Sequence, residues 1–267
     1  MAVIGKNNVK IRGAGQQAIV FAHGFGCDQH MWRHVAPAFE QDYRTVLFDH
    51  VGAGQSDIAY YVPEQYGSLS QYARDVLAIC DELALERPIF VGHSVSAMIG
   101  VLAAIAAPER FAKLVLVGPS PCYINDGTYV GGYSRADIDG LLDFLDDNFV
   151  AWSKALAPTI MGNPERPELG AELESSFCRT DPRAARQFAR VTFLSDNRAD
   201  LHKLHTPALI VQCSDDAIAP LAVGRYLAGT LAHSQFVQLA ARGHCPNLSA
   251  PEELVACIRT YIESGTP

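Results

Sequence analysis

Short apolar runs alternate along the chain with segments whose apolar residues recur at helical spacing. The runs are rich in β-branched and aromatic residues and predict strands at residues 9–12, 18–22, 43–48, 113–117, 208–212 and 235–239, and in a further run that begins at residue 88. Between them, residues 31–39, 69–83 and 252–262 predict helices. Because continuous apolar strands separated by helices are typical of a sheet covered on both faces, the pattern predicts an α/β fold with a mostly parallel central sheet.

Residues 126–204 interrupt this alternation, because they contain no convincing strand. Apolar spacing in the block predicts four helices, at residues 136–147, 149–161, 169–178 and 183–194. An insertion of this size leaves a sheet at the edge where its loops emerge, so we expect it to lie over that edge as a lid. The predicted organisation is one core built from residues 1–125 and 205–267, with the lid inserted between them. A helical subdomain without a gating role is the alternative.

The composition fits one α/β domain with a large core, since 49% of the 267 residues are apolar. The net charge is −8 and there is no basic cluster, so we expect no nucleic-acid partner. No apolar run approaches the roughly 20 residues that span a bilayer, and residues 1–8 lack the layout of a signal peptide, so we expect no membrane association. The seven cysteines lack C-x-x-C spacing, which predicts reduced thiols in a cytoplasmic protein and no metal site.

The stretch from Pro88 to Gly100 combines a strand, a turn and a helix, with Ser94 at the junction. This is the layout of a nucleophile elbow, in which a strained turn exposes a serine at the N-terminus of a helix. The usual pattern is G-x-S-x-G, whereas this chain has Ser96 in place of the second glycine. Because Ser96 lies one step past the sharp turn, we do not expect its hydroxyl in the cleft. A helix that is simply capped by Ser94 is the alternative interpretation.

Further polar groups follow the last two predicted strands. His244 comes after residues 235–239, and Asp215 and Asp216 come after residues 208–212. A serine hydroxyl needs an imidazole base within hydrogen-bond reach, and a carboxylate can hold that imidazole in the right tautomer. The order serine, aspartate, histidine is the order found in α/β-hydrolases. The residues alone leave the choice between the two aspartates open.

An oxyanion hole is predicted at residues 23–26, a His-Gly-Phe-Gly segment that follows an early strand. Its glycines allow close backbone approach, so we expect the amides of Phe25 and Val95 to point at a developing oxyanion. His23 and His93 precede these turns, and we expect them to support the backbone rather than carry protons. Serine as the nucleophile argues against the alkyl-ester mechanism of epoxide hydrolases and dehalogenases, which requires an aspartate at that position.

Three motifs extend beyond the candidate catalytic positions. They are His-Gly-Phe-Gly-Cys-Asp-Gln at 23–29 followed by Trp32, Gly-His-Ser-Val-Ser-Ala-Met-Ile-Gly at 92–100, and Ser-Pro-Cys-Tyr-Ile-Asn-Asp at 120–126. Together they resemble the RsbQ family of α/β-hydrolases, which includes a bacterial stress-response regulator and the plant strigolactone and karrikin receptors. The likeness covers residues 9–262, and the lid resembles the bacterial branch most closely. Serine in place of the second elbow glycine is a trait of that family, and the family's catalytic acid falls on Asp216.

The resemblance implies a V-shaped lid of four helices over an apolar pocket. The matching pocket positions are Phe25, Tyr123, Trp152, Leu156 and Phe193. From the residues alone, aromatic side chains at Trp152 and Phe193 on lid helices indicate either a pocket wall or packing of the lid on the core. Leu156 stands where the plant receptors carry an aromatic residue, so the identity of the ligand does not carry over.

These observations predict a serine hydrolase that acts on a small apolar ester, lactone or related acyl compound. Ser94 is the predicted nucleophile, His244 shuttles the proton, and Asp216 orients His244. The amides of Phe25 and Val95 hold the oxyanion, and no metal or organic cofactor is implied. The resemblance implies a signalling role upstream of a PAS-domain phosphatase that controls an alternative sigma factor. A metabolic carboxylesterase without a partner and a cofactor-free haloperoxidase or perhydrolase are the alternatives.

Overall fold

The computed structural model describes residues 2–264 and has a seven-stranded sheet at its centre. The strands are β1 (Lys10–Arg12), β2 (Ala18–Ala22), β3 (Arg44–Phe48), β4 (Ile89–His93), β5 (Lys113–Val117), β6 (Ala208–Asp215) and β7 (Ser234–Arg242). Their order across the sheet is β1-β3-β2-β4-β5-β6-β7. β1 runs antiparallel to β3, and the other neighbouring pairs are parallel, so the predicted parallel sheet is confirmed.

Helices connect the strands. The α-helices are α1 (Ala2–Lys6), α2 (Leu69–Glu82), α3 (Val95–Ala106), α4 (Arg135–Asp147), α5 (Phe149–Met161), α6 (Pro167–Cys178), α7 (Pro182–Phe193), α8 (Leu221–Thr230), α9 (Pro246–Ser249) and α10 (Pro251–Glu263). Short 3-10 helices occupy Gln29–Trp32, Ala36–Phe39, Ile58–Tyr60 and Arg198–Lys203. Within residues 2–264, no helix has the length and apolar character needed to cross a bilayer.

Both faces of the sheet are buried at its central strands, which explains the unbroken hydrophobic runs in the sequence. Every residue of β2, β4 and β5 is buried. Successive side chains of a strand point to opposite faces, so Val91 and Val115 join one core cluster while Phe90 and Leu114 join the other. Helices α4, α5 and α10 contribute to the first cluster, and α2 and α3 contribute to the second.

Helices α4 to α7 form a block between β5 and β6, and their ends agree with the sequence-based prediction within two residues. Local signals set these ends. Ser134 and Asp137 form a reciprocal capping box before α4, and Gly162 ends α5 in a left-handed conformation with φ of 65°. Asp181 caps α7 by accepting hydrogen bonds from two amides of the first turn, and Pro182 takes the first helical position.

The single helix predicted at residues 31–39 is wrong. The structure has two 3-10 helices there, Gln29–Trp32 and Ala36–Phe39. Pro37 lacks an amide hydrogen, and its ring crowds the carbonyl four residues earlier, so a continuous α-helix through this position is disfavoured. The short helix α1 is absent from the sequence-based prediction.

Strands β6 and β7 run three residues further toward their carboxyl ends than the sequence pattern predicts. Their pairing register is irregular between Cys213 and Asp215. This extension carries the backbone after each strand to the sheet edge where the candidate site lies.

Candidate active site

Ser94 lies in a sharp turn between the end of β4 and the start of α3. Its backbone has φ of 56° and ψ of −123°, a conformation that a serine adopts only under strain. A Cβ on Gly92 would lie 2.4 Å from the Ser96 carbonyl oxygen, so the tight turn requires that glycine. The Ser94 amide donates to the Val117 carbonyl at 2.7 Å, which fixes the turn to β5. This geometry is that of an elbow rather than an ordinary N-cap, because the Ser94 side chain makes no capping hydrogen bond.

The hydroxyl of Ser94 bonds a buried imidazole that in turn bonds a buried carboxylate. Ser94 Oγ lies 2.7 Å from His244 Nε2, and His244 Nδ1 lies 2.8 Å from Asp216 Oδ2. The other carboxylate oxygen accepts hydrogen bonds from the amides of Ile218 and Ala219. Because a carboxylate oxygen only accepts hydrogen bonds, His244 carries its proton on Nδ1. Its Nε2 atom is then the acceptor for the serine hydroxyl.

The structure brings Asp216, rather than Asp215, to the histidine. The Asp215 side chain is 70% exposed and pairs with Arg242 at 3.1 Å on the surface. The Asp216 side chain is only 1% exposed. Of the two candidate acids, Asp216 is the one in position to orient the imidazole.

The segment that carries the first predicted oxyanion amide lies directly on the elbow. A Cβ on Gly24 would lie 2.6 Å from His93 Nδ1 and 3.3 Å from Ser94 Cβ, so only glycine allows this backbone approach. Val95 is the first residue of α3, where an amide has no intrahelical acceptor. Within residues 2–264, neither the Phe25 amide nor the Val95 amide donates to a protein group. Both amide hydrogens are therefore free to bond an oxygen atom held beside the serine.

A cavity of about 30 Å³ borders Ser94 and His244. The five pocket residues expected from the sequence all line it, namely Phe25, Tyr123, Trp152, Leu156 and Phe193. Cys27, His93 and Cys245 line it as well, and sequence reasoning missed six further lining residues, which are Leu141, Ile160, Leu173, Phe177, Thr192 and Ile218. Leu173 and Phe177 lie one turn apart on α6, so helical periodicity is the signal that could have found them.

The ring of Phe25 joins the cavity wall to three lid helices. It contacts Trp152 on α5, Phe177 on α6, and Phe188 and Phe193 on α7, at centroid distances of 5.8 to 6.1 Å. The two interpretations left open for Trp152 and Phe193 therefore hold together, since each residue lines the cavity and packs the lid on the core. Aromatic pairs of this kind contribute about 0.5–1.5 kcal/mol each beyond burial. They stabilise helices α5 to α7 against residues 23–26, which carry the first predicted oxyanion amide and are called the oxyanion segment below.

Residues 19–257 match the sequence profile of the alpha/beta hydrolase family. This chain belongs to that family. The hydrolase is 39% identical over 257 residues to "Karrikin insensitive 2 receptor CA" of Petunia hybrida, a match that covers 96% of this chain and 95% of the receptor. It is 37% identical over 256 residues to "Strigolactone esterase D14" of Arabidopsis thaliana, covering 96% of each chain. The solved structure of a hydrolase from Oleispira antarctica superposes with a TM-score of 0.96 at 39% identity, covering 98% of this chain and 97% of that chain.

These comparisons confirm the predicted α/β-hydrolase fold. Because relatives along nearly the whole chain are named esterases and hydrolases, this protein is an α/β-fold serine hydrolase. The relatives include karrikin and strigolactone proteins of plants, in agreement with the part of the resemblance that the motifs carry. Among the described residues of the hydrolase, no group of three or more histidine, cysteine or acidic side chains is arranged to hold a metal ion.

Three buried polar atoms of cavity-lining residues in the hydrolase have no hydrogen-bond partner among the residues that the structure describes. They are the acceptor His93 Nδ1 and the donors Trp152 Nε1 and the Thr192 hydroxyl. The Tyr123 hydroxyl is a further buried donor there, beside the Ser94 hydroxyl. Burial raises the pKa of Tyr123, an effect that the neighbouring Ser94 hydroxyl partly offsets, so the phenol is neutral. A buried polar group without a partner costs about 1–3 kcal/mol. These donors therefore favour a bound molecule that carries oxygen atoms.

His23 and His93 support the backbone, and this prediction is confirmed. His93 Nε2 donates to the His244 carbonyl oxygen at 2.7 Å. Burial, and to a smaller extent the nearby His244 ring, lowers the pKa of His93 to about 3, so its ring is neutral. His23 Nδ1 donates to the Gly24 carbonyl at 2.8 Å. Neither ring bonds the Ser94 hydroxyl.

The cysteines near the site are thiols rather than thiolates. Burial, reinforced by the negative charge of Asp28, raises the pKa of Cys27 to about 12. Burial also raises the pKa of Cys245 well above the ordinary value and raises that of Cys122. Because the thiolate is the nucleophilic form, these side chains do not compete with Ser94.

The end of α5 is bonded to the loop that carries His244. The His244 amide donates to the Ile160 carbonyl at 2.8 Å. Asn163 Nδ2 donates to the Met161 carbonyl at 2.6 Å and to the carbonyl before Gly243 at 3.1 Å. A Cβ on Gly243 would lie 1.7 Å from the Met161 carbonyl oxygen, so the two backbones are in direct contact. At this corner the end of α5 and the loop that carries His244 form one packed unit.

Proposed function

We propose that the protein hydrolyses a small apolar ester or lactone through an acyl intermediate on Ser94. The observation that carries this proposal is the buried hydrogen-bond chain from Ser94 through His244 to Asp216 beside a mostly apolar cavity. His244 Nε2 takes the hydroxyl proton while Ser94 Oγ bonds the carbonyl carbon, and the imidazolium then protonates the departing oxygen. In the second half, His244 takes a proton from water, the oxygen of that water adds to the acyl carbon, and Ser94 leaves with the proton.

The amides of Phe25 and Val95 hold the negative charge that develops on the carbonyl oxygen. Both amides lack a protein acceptor within residues 2–264, and the contact at Gly24 brings their segments together. Losing one donor from an oxyanion hole lowers kcat by about 10²–10³. Asp216 keeps His244 in the tautomer that accepts the serine proton and stabilises the imidazolium that forms.

The cavity wall favours a compact and uncharged substrate. Among the described residues, the lining contains no lysine, arginine, aspartate or glutamate. The hydroxyl of Tyr123 and the indole nitrogen of Trp152 are donors that suit carbonyl or ether oxygens of a lactone-like molecule. The names of the strigolactone and karrikin relatives support the same substrate class.

Residues 126–204 act as a lid in this proposal, over a core formed by residues 1–125 and 205–267. A cavity of about 30 Å³ has room for only about one or two water molecules. Sites for small organic ligands have about 300–1,000 Å³. Substrate entry therefore requires the lid helices to move away from Phe25, at the expense of the aromatic contacts described above.

Hydrolysis of p-nitrophenyl butyrate by wild type and Ser94→Ala tests the chemistry. We expect kcat to fall by at least about 10³ in Ser94→Ala. Ser70→Ala, an exposed serine on α2, is the matched control and should keep wild-type turnover. Undiminished turnover in Ser94→Ala would refute the assignment of the nucleophile.

We further propose that the reaction serves signalling in the cytoplasm, upstream of a PAS-domain phosphatase, as the resemblance to the RsbQ family implies. The elbow serine at position 96 and the lid motifs support this role, as do the receptors among the relatives. A pull-down with tagged wild type and Ser94→Ala, using the phosphatase of a neighbouring gene as prey, tests it. Recovery of no phosphatase with either bait would favour a metabolic carboxylesterase.

A further inference from the structure

Ser96 occupies the elbow position where the usual pattern has glycine, and its side chain is fully buried. Its hydroxyl oxygen lies 2.5 Å from the His23 carbonyl oxygen and 2.8 Å from His50 Nε2. A carbonyl oxygen only accepts hydrogen bonds, so the hydroxyl donates to His23 and accepts from the Nε2–H group of His50. Ser96 does not line the cavity, so it has no direct contact with a substrate there.

His50 is held in the protonation state that this arrangement needs. Burial, and to a smaller extent the neighbouring His23, lowers the pKa of His50 well below the ordinary value, so its ring is neutral. The rings of Phe48, Tyr72 and Phe188 surround it edge-on at centroid distances of 5.2 to 5.6 Å. Its Nδ1 atom has no hydrogen-bond partner in the described part of the chain. The single ring proton therefore lies on Nε2, where the serine hydroxyl accepts it.

A further hydrogen bond connects His50 to the ring of His23, in the oxyanion segment. The His50 amide donates to His23 Nε2 at 2.9 Å. The His23 ring therefore carries its proton on Nδ1, which donates to the Gly24 carbonyl. The ring and the carbonyl of His23, the first residue of the oxyanion segment, are thus both fixed.

We propose that Ser96, held by His50, is a positioning residue that fixes the two oxyanion amides relative to each other. Ser96 follows Val95 directly, and His23 lies two residues before Phe25, so the bond from Ser96 to His23 links the segments that carry both amides. A glycine at this position would remove the link and leave the His23 carbonyl without this donor. The inference rests on the proposed acyl transfer.

Ser96→Ala tests the inference, with Ser153→Ala as the matched control. Ser153 is also a fully buried serine whose hydroxyl donates to a carbonyl, that of Phe149 at 2.8 Å, but it lies within α5 and outside the cavity lining. The measurements are kcat and KM for p-nitrophenyl butyrate, the Ki of phenylboronic acid, and Tm. Phenylboronic acid forms a tetrahedral adduct on a serine nucleophile and places an oxygen in the oxyanion hole.

For Ser96→Ala we expect kcat to fall about 10- to 100-fold, KM to stay within about threefold, and Ki to rise by a factor similar to the loss in kcat. Ser153→Ala should lower Tm alone. His50→Phe removes the Nε2 donor while keeping an aromatic ring among aromatic neighbours, and should lower kcat about 3- to 10-fold. The double variant should be no slower than Ser96→Ala, because both changes act through one bond.

Unchanged kcat and Ki in Ser96→Ala would overturn the positioning role. If the alanine variant does not fold, kcat and Ki are measured for Ser96→Gly instead, since glycine is the usual elbow residue. Unchanged values there would overturn the positioning role in the same way. A lower Tm with wild-type kcat and Ki would also overturn it, because a merely structural serine behaves in that way. A wild type that neither hydrolyses the ester nor binds phenylboronic acid would refute the proposed function itself, and the positioning role with it.

Discussion

Gly24 lies where the oxyanion segment touches the elbow, and replacing it by alanine perturbs that contact. The new Cβ would lie 2.6 Å from His93 Nδ1 and 3.1 Å from His93 Cε1. His93 cannot yield easily, because its ring is buried and its Nε2 donates to the His244 carbonyl at 2.7 Å. The oxyanion segment must therefore retreat by about 0.8 Å to reach the 3.4 Å at which ordinary contact begins.

A retreat of that size carries the Phe25 amide away from an oxygen atom held beside Ser94. A misplacement of about 1 Å can cost about 10²-fold in rate, and loss of one oxyanion donor costs about 10²–10³-fold. We therefore expect Gly24→Ala to lower kcat by about 30- to 300-fold, with little change in KM for a small ester. Overpacking also lowers the free energy of unfolding by about 1–3 kcal/mol, so the variant should fold but melt earlier.

Steady-state kinetics with p-nitrophenyl butyrate and thermal unfolding of the same samples measure both effects. Gly140→Ala is the matched control, because no atom lies within 4 Å of a Cβ at that position on α4. The control should gain about 0.5–1 kcal/mol in stability from helix propensity and keep the wild-type kcat. A folded Gly24→Ala variant with kcat within about twofold of wild type would show that this segment does not hold the oxyanion.

Three further outcomes are expected. Asp216→Asn should lower kcat by about 10⁴, because the amide favours the wrong imidazole tautomer. Asp215→Asn, which changes an exposed ion pair, should alter kcat by less than about twofold. Equal losses of kcat in the two variants would contradict the assignment of Asp216 as the residue that orients His244. The free energy of unfolding in urea should be about 2–4 kcal/mol lower at pH 5.5 than at pH 7. Burial lowers the pKa values of His23, His50 and His93, so these rings stay neutral in the folded state. On unfolding they gain protons below about pH 6.5. A flat profile between these pH values would refute that reasoning. Lys113→Met removes three hydrogen bonds that the buried ammonium group donates to carbonyls at the end of α10. The free energy of unfolding in urea should fall by about 1–3 kcal/mol. Ester kinetics should show an unchanged kcat.

The elements that the sequence predicts correctly carry their signals locally. β5 is an apolar run that stops at Gly118, and its observed ends are the predicted ones. α5 begins after Asn148, whose side chain accepts a hydrogen bond from the first turn, and ends at Gly162 in a left-handed conformation. The elbow around Ser94 is recognisable for the same reason, since strand, turn and helix follow one another within a dozen residues.

The features that the sequence does not predict depend on strand register and on contacts between segments that are distant in the chain. The residues alone do not separate Asp216 from Asp215, because an irregular register at the end of β6 decides which side chain turns inward. The resemblance to known hydrolases selects Asp216, and the geometry agrees. The bond between His50 and Ser96 spans 46 positions of the chain, and no local pattern connects them. Helical periodicity marks Leu173 and Phe177 as one apolar face of α6, but it does not say whether that face meets the cavity or the rest of the core.

The contact between the end of α5 and the loop that carries His244 divides the lid into parts that redesign should treat differently. A Cβ on Gly162 would lie 2.7 Å from the Gly243 Cα, so a side chain there would push the loop that carries the base. Leu141, Leu156 and Leu173 line the cavity from three different lid helices. A library aimed at new substrates should therefore randomise these leucines and hold residues 160–163 and 242–244 constant. The library then varies the shape of the cavity, and every member keeps the wild-type positions of His244 and Ser94.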